Sequence, residues 1–165
     1  MIRSATLQDA KSIAEIYNPY VTETIVTFEE DPVGAEEIRQ RISKVLASGL
    51  PYLVAEREGD VCGYAYATPW RVRSAYRYST ETTIYVSKSH VGTGVGSALY
   101  GELLSRLALN RAHLAIGGIA LPNAASVALH EKLGFKKVAH FQEVGKKFGN
   151  WVDVGYWQKT LSAAG

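Results

Sequence analysis

Apolar residues along this chain recur with two periods, and each change of period marks a new element. Ile2 to Ala5 reads as a short strand. Thr6 is placed to cap a helix, and Asp9, three residues on, puts a negative charge near its N-terminus. Ala10, Ile13, Ala14 and Tyr17 then repeat at helical spacing, and Pro19 is expected to end that helix. A polar link runs through Thr24, Thr27 and Asp31-Pro32. Ile38, Ile42, Val45 and Leu46 mark a second helix, stopped by Gly49.

Tyr52 to Glu56 is a continuous apolar run of strand type, Glu58-Gly59-Asp60 is a tight turn, and Val61 to Ala67 returns, which predicts a hairpin. Pro69 breaks the pattern. Trp70-Arg71-Val72-Arg73-Ser74-Ala75-Tyr76-Arg77-Tyr78 is aromatic and basic with no clean period. Thr80 to Val86 is a further strand. A short polar link follows it, then glycines at 92, 94 and 96, then Leu99, Tyr100, Leu103, Leu104 and Leu107 at helical spacing. Leu114 to Ala120 is an apolar strand weakened by two glycines. Asn123 to Leu133 is a helix with Gly134 at its end. Lys137 to Glu143 and Val152 to Lys159 read as closing strands, joined by a polar link from Gly145 to Asn150. The order is β-α-α-β-β-β-α-β-α-β-β, without repeats, low-complexity runs or an inter-domain linker. Residues 1–165 therefore read as one domain of mixed α/β layers.

Composition narrows the partners. The chain is 47% hydrophobic and 21% charged, which suits a soluble globular domain. A net charge of +2, with basic residues scattered outside 71–77 and 146–147, argues against nucleic acid. The single cysteine, Cys62, excludes an internal disulfide and reads as a small core residue. No apolar run is long enough to span a bilayer, and the start lacks the layout of a secretory signal. No membrane partner is expected, and a reducing cytoplasm is the default location.

The strand, glycine loop and helix from Ile84 to Leu107 carry the chemistry. Glycines let backbone N–H groups turn toward one point, and the helix start adds partial positive charge. Such a loop holds a pyrophosphate without a metal. The spacing G-x-G-x-G lacks the G-x-G-x-x-G of dinucleotide folds and the Gly-Lys-Ser/Thr of nucleotide-triphosphate loops. A tight strand-to-helix turn with no ligand fits the same spacing.

Val91-Gly92-Thr93-Gly94-Val95-Gly96 resembles the Gln/Arg-x-x-Gly-x-Gly/Ala motif of the Gcn5-related N-acetyltransferase superfamily, with Val91 at the position where Gln or Arg is usual. The helix opened by Asn123 and ended by Gly134-Phe135 is that superfamily's second mark. Trp70 to Tyr76, Thr80 to Val86, Leu121-Pro122-Asn123 and Gly149 to Gly155 are similar to the phosphinothricin acetyltransferase family in particular. The resemblance implies a central mixed, twisted sheet flanked by about four helices, and acetyl-CoA as co-substrate. It further implies N-acetylation of phosphinothricin, methionine sulfoximine or methionine sulfone, and a homodimer. The amine would attack acetyl-CoA directly in a ternary complex, with no acyl-enzyme and no role for Cys62.

The resemblance also distributes roles. Glu81 is the candidate base; a half-buried carboxylate with a raised pKa suits that work near neutrality. The Val86 backbone N–H would face the thioester oxygen, while Ile84, Tyr85 and Val86 pair with the pantetheine arm. Gly92, Thr93, Gly94, Val95, Gly96 and Ser97 would cradle the pyrophosphate. His130 is the candidate proton donor to the thiolate, or else a packed helix histidine. Asn123, Ser126 and His130 fall on one helical face, read as a polar stripe toward the cofactor; Ala125, Leu129 and Leu133 lie toward another, read as core. Arg71 and Arg73 would grip the acceptor's carboxylate and its second polar head, with Val72, Tyr76, Thr82 and Thr83 completing its pocket. A solvated basic loop is the plainer reading of 71–77. Lys146 to Trp151 lies near the dimer interface in that family; a hairpin loop with Trp151 in the core fits the same residues. Two other functions stay open: acetylation of another small amine or a protein N-terminus, and acetyl-CoA binding without catalysis. Arginines at the acceptor site favour an anionic acceptor over a polyamine.

Overall fold

In the computed structural model, residues 1–161 are described. They form β1 (Ile2–Ser4), α1 (Ala10–Glu23), α2 (Ala35–Ala47), β2 (Tyr52–Arg57), β3 (Asp60–Pro69), β4 (Ser79–Val86), α3 (Val95–Leu109), β5 (Leu114–Leu121), α4 (Ala124–Lys132), β6 (Lys136–Lys147) and β7 (Asn150–Thr160). The order is the one the periodicity predicts. All seven strands join one sheet, β1-β2-β3-β4-β5-β7-β6, antiparallel except for β4 against β5.

Alternation along the central strands builds two cores, because successive side chains leave opposite faces, and a bulge opposite Ala55 and Glu56 turns Cys62 onto the same face as Ala65. Leu53, Ala55, Cys62, Ala65 and Ala67 pack with Leu99, Leu103 and Leu107 of α3. Tyr52, Val54 and Tyr64 pack with Ile13, Tyr17, Ile38 and Ile42 of α1 and α2. Burying one such side chain contributes roughly 1.5–3 kcal/mol. Cys62 takes the core position expected of it.

The sheet has one deliberate opening. β4 pairs with β3 along its whole length and β5 with β7 along its whole length. Between β4 and β5 only Ser79–Leu114, Thr80–Ala115 and Glu81–Ile116 pair, and beyond Glu81 the two strands part. Ser87 N–H donates to the Cys62 carbonyl at 2.8 Å, which sets the alternation of the β3–β4 ladder. Glu81, Thr83 and Tyr85 therefore bond to β3, while the N–H and C=O groups of Thr82, Ile84 and Val86 point into the opening.

Three local expectations change. Pro19 lies inside α1 rather than at its end. The helix continues because Ile13, Ile16, Tyr17 and Val21 stay buried on one face, and that packing outweighs the bond a proline removes. α1 itself starts at Ala10, one turn later than the cap reading places it. Residues 7–9 form a 3-10 turn, and the Asp9 carboxylate accepts from Thr6 N–H at 2.7 Å and from both Arg3 Nη atoms at 2.9 and 2.8 Å. The Arg3 guanidinium thereby holds Asp9 below the ordinary aspartate pKa. The 145–150 link is itself strand: β6 and β7 extend to a two-residue turn, Phe148-Gly149, and Trp151 is 61% exposed rather than in the core.

Candidate active site

Two hollows meet at the β4–β5 opening. The larger, about 600 Å³, runs from Ile84, Tyr85 and Val86 past Gly92, Gly94 and Gly96 to the starts of α3 and α4. Gly94 caps α3 at φ +88°, a left-handed conformation that suits glycine. The loop thereby delivers the first N–H groups of a 15-residue helix to the hollow, where no helical carbonyl reaches them. Asn123 caps α4 through its Oδ1, which accepts from Ser126 N–H at 3.1 Å. Lys88, His90 and Lys132 add cationic or ionisable groups to the rim. Tyr20 crosses from α1 and donates its hydroxyl to the Val86 carbonyl at 2.5 Å, while the Val86 N–H still faces the opening.

The smaller hollow, about 410 Å³, lies on the other side of Tyr85 and Val26, which line both. Glu81 is its carboxylate. Burial pushes the Glu81 pKa above the ordinary glutamate value, and the nearby Arg71 charge opposes that rise. Gly118 and Ala120 of β5, Val154 and Tyr156 of β7, and Phe28, Phe141 and Val144 make most of its wall, with Thr27 and Tyr156 adding polar groups to the apolar ones. A carboxylic acid beside a partly apolar pocket, next to a strand edge and a helix-start anion cradle, suits proton abstraction coupled to transfer from a phosphate-bearing donor.

Residues 2–155 match the acetyltransferase (GNAT) domain family. The chain belongs to that family. The "Phosphinothricin N-acetyltransferase" of Streptomyces coelicolor is 39% identical over 97% of this chain and 95% of its own length. A GNAT-superfamily phosphinothricin acetyltransferase from Sinorhizobium meliloti, solved in complex with acetyl-CoA, superposes with a TM-score of 0.94 at 38% identity, covering 98% of this chain and 88% of that one. A structure described as a ribosomal-protein-alanine N-acetyltransferase from Brucella melitensis superposes with a TM-score of 0.95 at 39% identity, over 98% and 99% of the two chains. The mixed α/β sheet with four helices is thus the GNAT fold.

For this GNAT chain the larger hollow collects most residues assigned to the cofactor: Ile84, Tyr85, Val86, Gly92, Gly94, Gly96, Ser97, Asn123 and Ser126. Thr93 and Val95 do not line it. Thr93 Oγ1 donates to the His90 carbonyl at 2.6 Å, and the Val95 side chain is in the core.

The α4 stripe is turned relative to expectation. Asn123 and Ser126 line the hollow as expected, with Ala125 and Leu129 beside them, whereas His130 is only 4% exposed and faces inward. Its Nδ1 lies 2.7 Å from the Ser126 carbonyl, which only accepts, so that nitrogen carries the proton. Nε2 then accepts from Tyr100 Oη at 2.9 Å, and Tyr100 accepts from Thr82 Oγ1 at 2.5 Å. Burial also pushes the His130 pKa down, so the ring is neutral near pH 7 and has no free proton for a thiolate.

The acceptor residues divide as well. Glu81 lines the smaller hollow. Thr82 does not, because its side chain leaves the opposite face of β4 and is spent on Tyr100. Thr83 shares the Glu81 face without lining either hollow. Arg71, Val72, Arg73 and Tyr76 sit on the exposed 70–78 loop outside both. Arg71 stacks 4.0 Å over Trp70, whose ring meets Tyr156 edge-on at 5.6 Å, so Arg71 borders the smaller hollow through that pair. The Arg73 side chain has no hydrogen bond or ion pair among the described residues, and only its backbone carbonyl is engaged, accepting from Tyr76 N–H at 2.9 Å.

Sequence reasoning missed Tyr20, Val26, Thr27 and Phe28, the α1 end and the following link, which supply one side of both hollows. The available signal was an apolar triplet, Ile25, Val26 and Phe28, inside a stretch read as polar.

Proposed function

We propose that the chain acts as a single-domain N-acetyltransferase, moving acetyl from acetyl-CoA to the α-amino group of an amino-acid analogue of the phosphinothricin, methionine sulfoximine or methionine sulfone type. The observation that carries this reading is the junction itself. The open β4 edge, with the Val86 N–H free, meets the Glu81 carboxylate across Tyr85, one hollow on each side. The free N–H groups at the α3 start, with Lys88 and Lys132 on the rim, fit a pyrophosphate, and Ile84 fits an extended pantetheine arm. Acetyl-CoA supplies the activated acyl carbonyl.

Glu81 takes a proton from the acceptor ammonium and frees its lone pair. The amine nitrogen forms the new bond to the acyl carbon while the C–S bond breaks. The Val86 N–H donates to the carbonyl oxygen as negative charge develops there. The nitrogen gives up one of its two remaining protons as the amide forms, keeping the other as the amide N–H, and the departing thiolate takes up a proton. His130 takes no part in that exchange; it holds α4 against α3 and β4. Arg71 attracts the acceptor's acidic head toward the Glu81 side.

The acceptor assignment is checked by following thiol release from acetyl-CoA with phosphinothricin, methionine sulfoximine, methionine sulfone, a polyamine and a short peptide. Turnover on the first three and not on the last two is the expected result. Turnover on the peptide alone would move the acceptor to a protein N-terminus, and binding of acetyl-CoA without turnover would leave a sensor.

The same reading makes the protein a cytoplasmic homodimer. β6 is an edge strand, and Val138, Phe141, Val144, Phe148 and Trp151 on β6–β7 are each more than half exposed. Such a patch on a sheet edge favours a partner. Sedimentation of the wild type as a dimer and of Trp151→Asp as a monomer is expected; a monomeric wild type would discard the assignment.

A further inference from the structure

Phe28 belongs to the link between α1 and α2, yet its backbone neighbours are clamped from three elements. Lys147 of β6, buried at 2% exposure, donates Nζ to the Thr27 carbonyl at 2.7 Å. Tyr17 Oη of α1 lies 2.8 Å from Thr27 Oγ1 and donates to Glu29 Oε1 at 2.8 Å. Arg41 of α2 donates to both Glu29 oxygens, at 2.6 and 3.2 Å. The residues on each side of Phe28 are therefore anchored, and the ring has one seat.

That seat is Gly145 of β6. A Cβ placed on Gly145 would lie 2.3 Å from Phe28 Cε2 and 2.5 Å from Cζ, far inside van der Waals contact. The ring rests flat on the glycine because no side chain is there. From that seat it lines the smaller hollow beside Glu81 and closes the side that β5 and β7 leave open. β5 contributes only the small Gly118 and Ala120 to that wall, opposite the larger Val154 and Tyr156 of β7, so the width left for an acceptor side chain depends on how far the Phe28 ring intrudes.

We propose that Phe28, seated on Gly145, is the specificity-determining residue of the acceptor pocket and restricts it to compact amino-acid side chains. The inference rests on the acetyl-transfer reading above. An apolar pocket discriminates by fit, with one methylene changing kcat/KM by about 10- to 200-fold, so a whole ring on a fixed seat has ample leverage.

The experiment compares kcat/KM for methionine sulfone and for phenylalanine, with acetyl-CoA as donor, in the wild type, Phe28→Ala and Gly145→Ala. Acetyl-CoA affinity and melting temperature report whether each variant is folded. Phe28→Ala is expected to raise the phenylalanine-to-methionine sulfone ratio by about 10-fold or more. Gly145→Ala keeps the ring but drives it off its seat, and it should shift the same ratio while acetyl-CoA affinity is unchanged. Phe28 is 40% exposed, so the ring can move without unfolding the strand beneath it. If Phe28→Ala nevertheless fails to fold, Phe28→Leu carries the comparison. An unchanged ratio in folded variants overturns the role of Phe28 and leaves the acetyltransferase reading intact. A wild type that acetylates neither amino acid overturns both.

Discussion

Glu81→Gln is expected to lower kcat/KM for an amino-acid acceptor by about 100- to 10,000-fold, the usual contribution of a positioned general base. The substitution keeps the shape of the side chain and removes only its capacity to take a proton. Acetyl-CoA binding should not change, because Glu81 lines the smaller hollow and not the larger one. The pH profile adds a second reading. Burial raises the Glu81 pKa above the ordinary 4.5, and the base works only when ionised. Wild-type kcat/KM should therefore fall as pH drops through that raised value. In Glu81→Gln this acid limb should vanish, leaving only the acceptor amine's own ionisation. Stability should move the other way. An acid whose folded pKa lies above its unfolded pKa weakens the fold as pH rises between the two values, so Glu81→Gln should melt higher than wild type at neutral pH. A variant retaining more than about a tenth of wild-type kcat/KM would remove Glu81 from the reacting set.

The second large effect belongs to adjacent glycines with different surroundings. A Cβ on Gly117 would lie 2.6 Å from His130 Nε2 and 2.9 Å from Cδ2, and both belong to a ring held on each side by hydrogen bonds. Gly117→Ala must therefore displace His130 and break its bond to Tyr100. Overpacking and a buried polar group left unpaired together cost about 2–4 kcal/mol. A Cβ on Gly118 would come 3.0 Å from Tyr156 Cε1, a ring beside an open hollow that has room to turn. Gly118→Ala should cost less stability and act on acceptor KM instead. Urea midpoints at constant slope measure the first effect, and steady-state kinetics the second. Equal midpoints for the two variants would mean that the Thr82–Tyr100–His130 chain is not a structural tie.

How much of this was legible in one dimension differs from residue to residue. Local rules placed the seven strands and four helices, the glycine loop ahead of α3 and the strand that carries Glu81, because period, glycine and capping act between near neighbours. They also suggested that Asn123 opens a helix. They did not say which way that helix turns. Helical spacing put His130 on a face with Asn123, but whether that face meets a cleft or a core depends on the β4–β5 opening and on α3 beside it. The opening itself has no local code: β4 and β5 each read as ordinary strands, and their parting after three paired residues shows only once both are placed in the sheet. Pro19 likewise reads as a stop until burial of Val21 beyond it is known.

The element order and the glycine loop ahead of α3 were thus set by the sequence alone, since each rests on contacts a few residues apart, whereas Glu81 was singled out by the family resemblance and not by any local rule. The tertiary structure alone decided that His130 is buried and neutral, that Arg73 and Tyr76 stand outside the hollows, and that Phe28 lines the smaller hollow beside Glu81. Those facts depend on elements 30 to 120 residues apart meeting in space, as Tyr100 meets His130 and Thr27 meets Lys147, and no local period records such meetings.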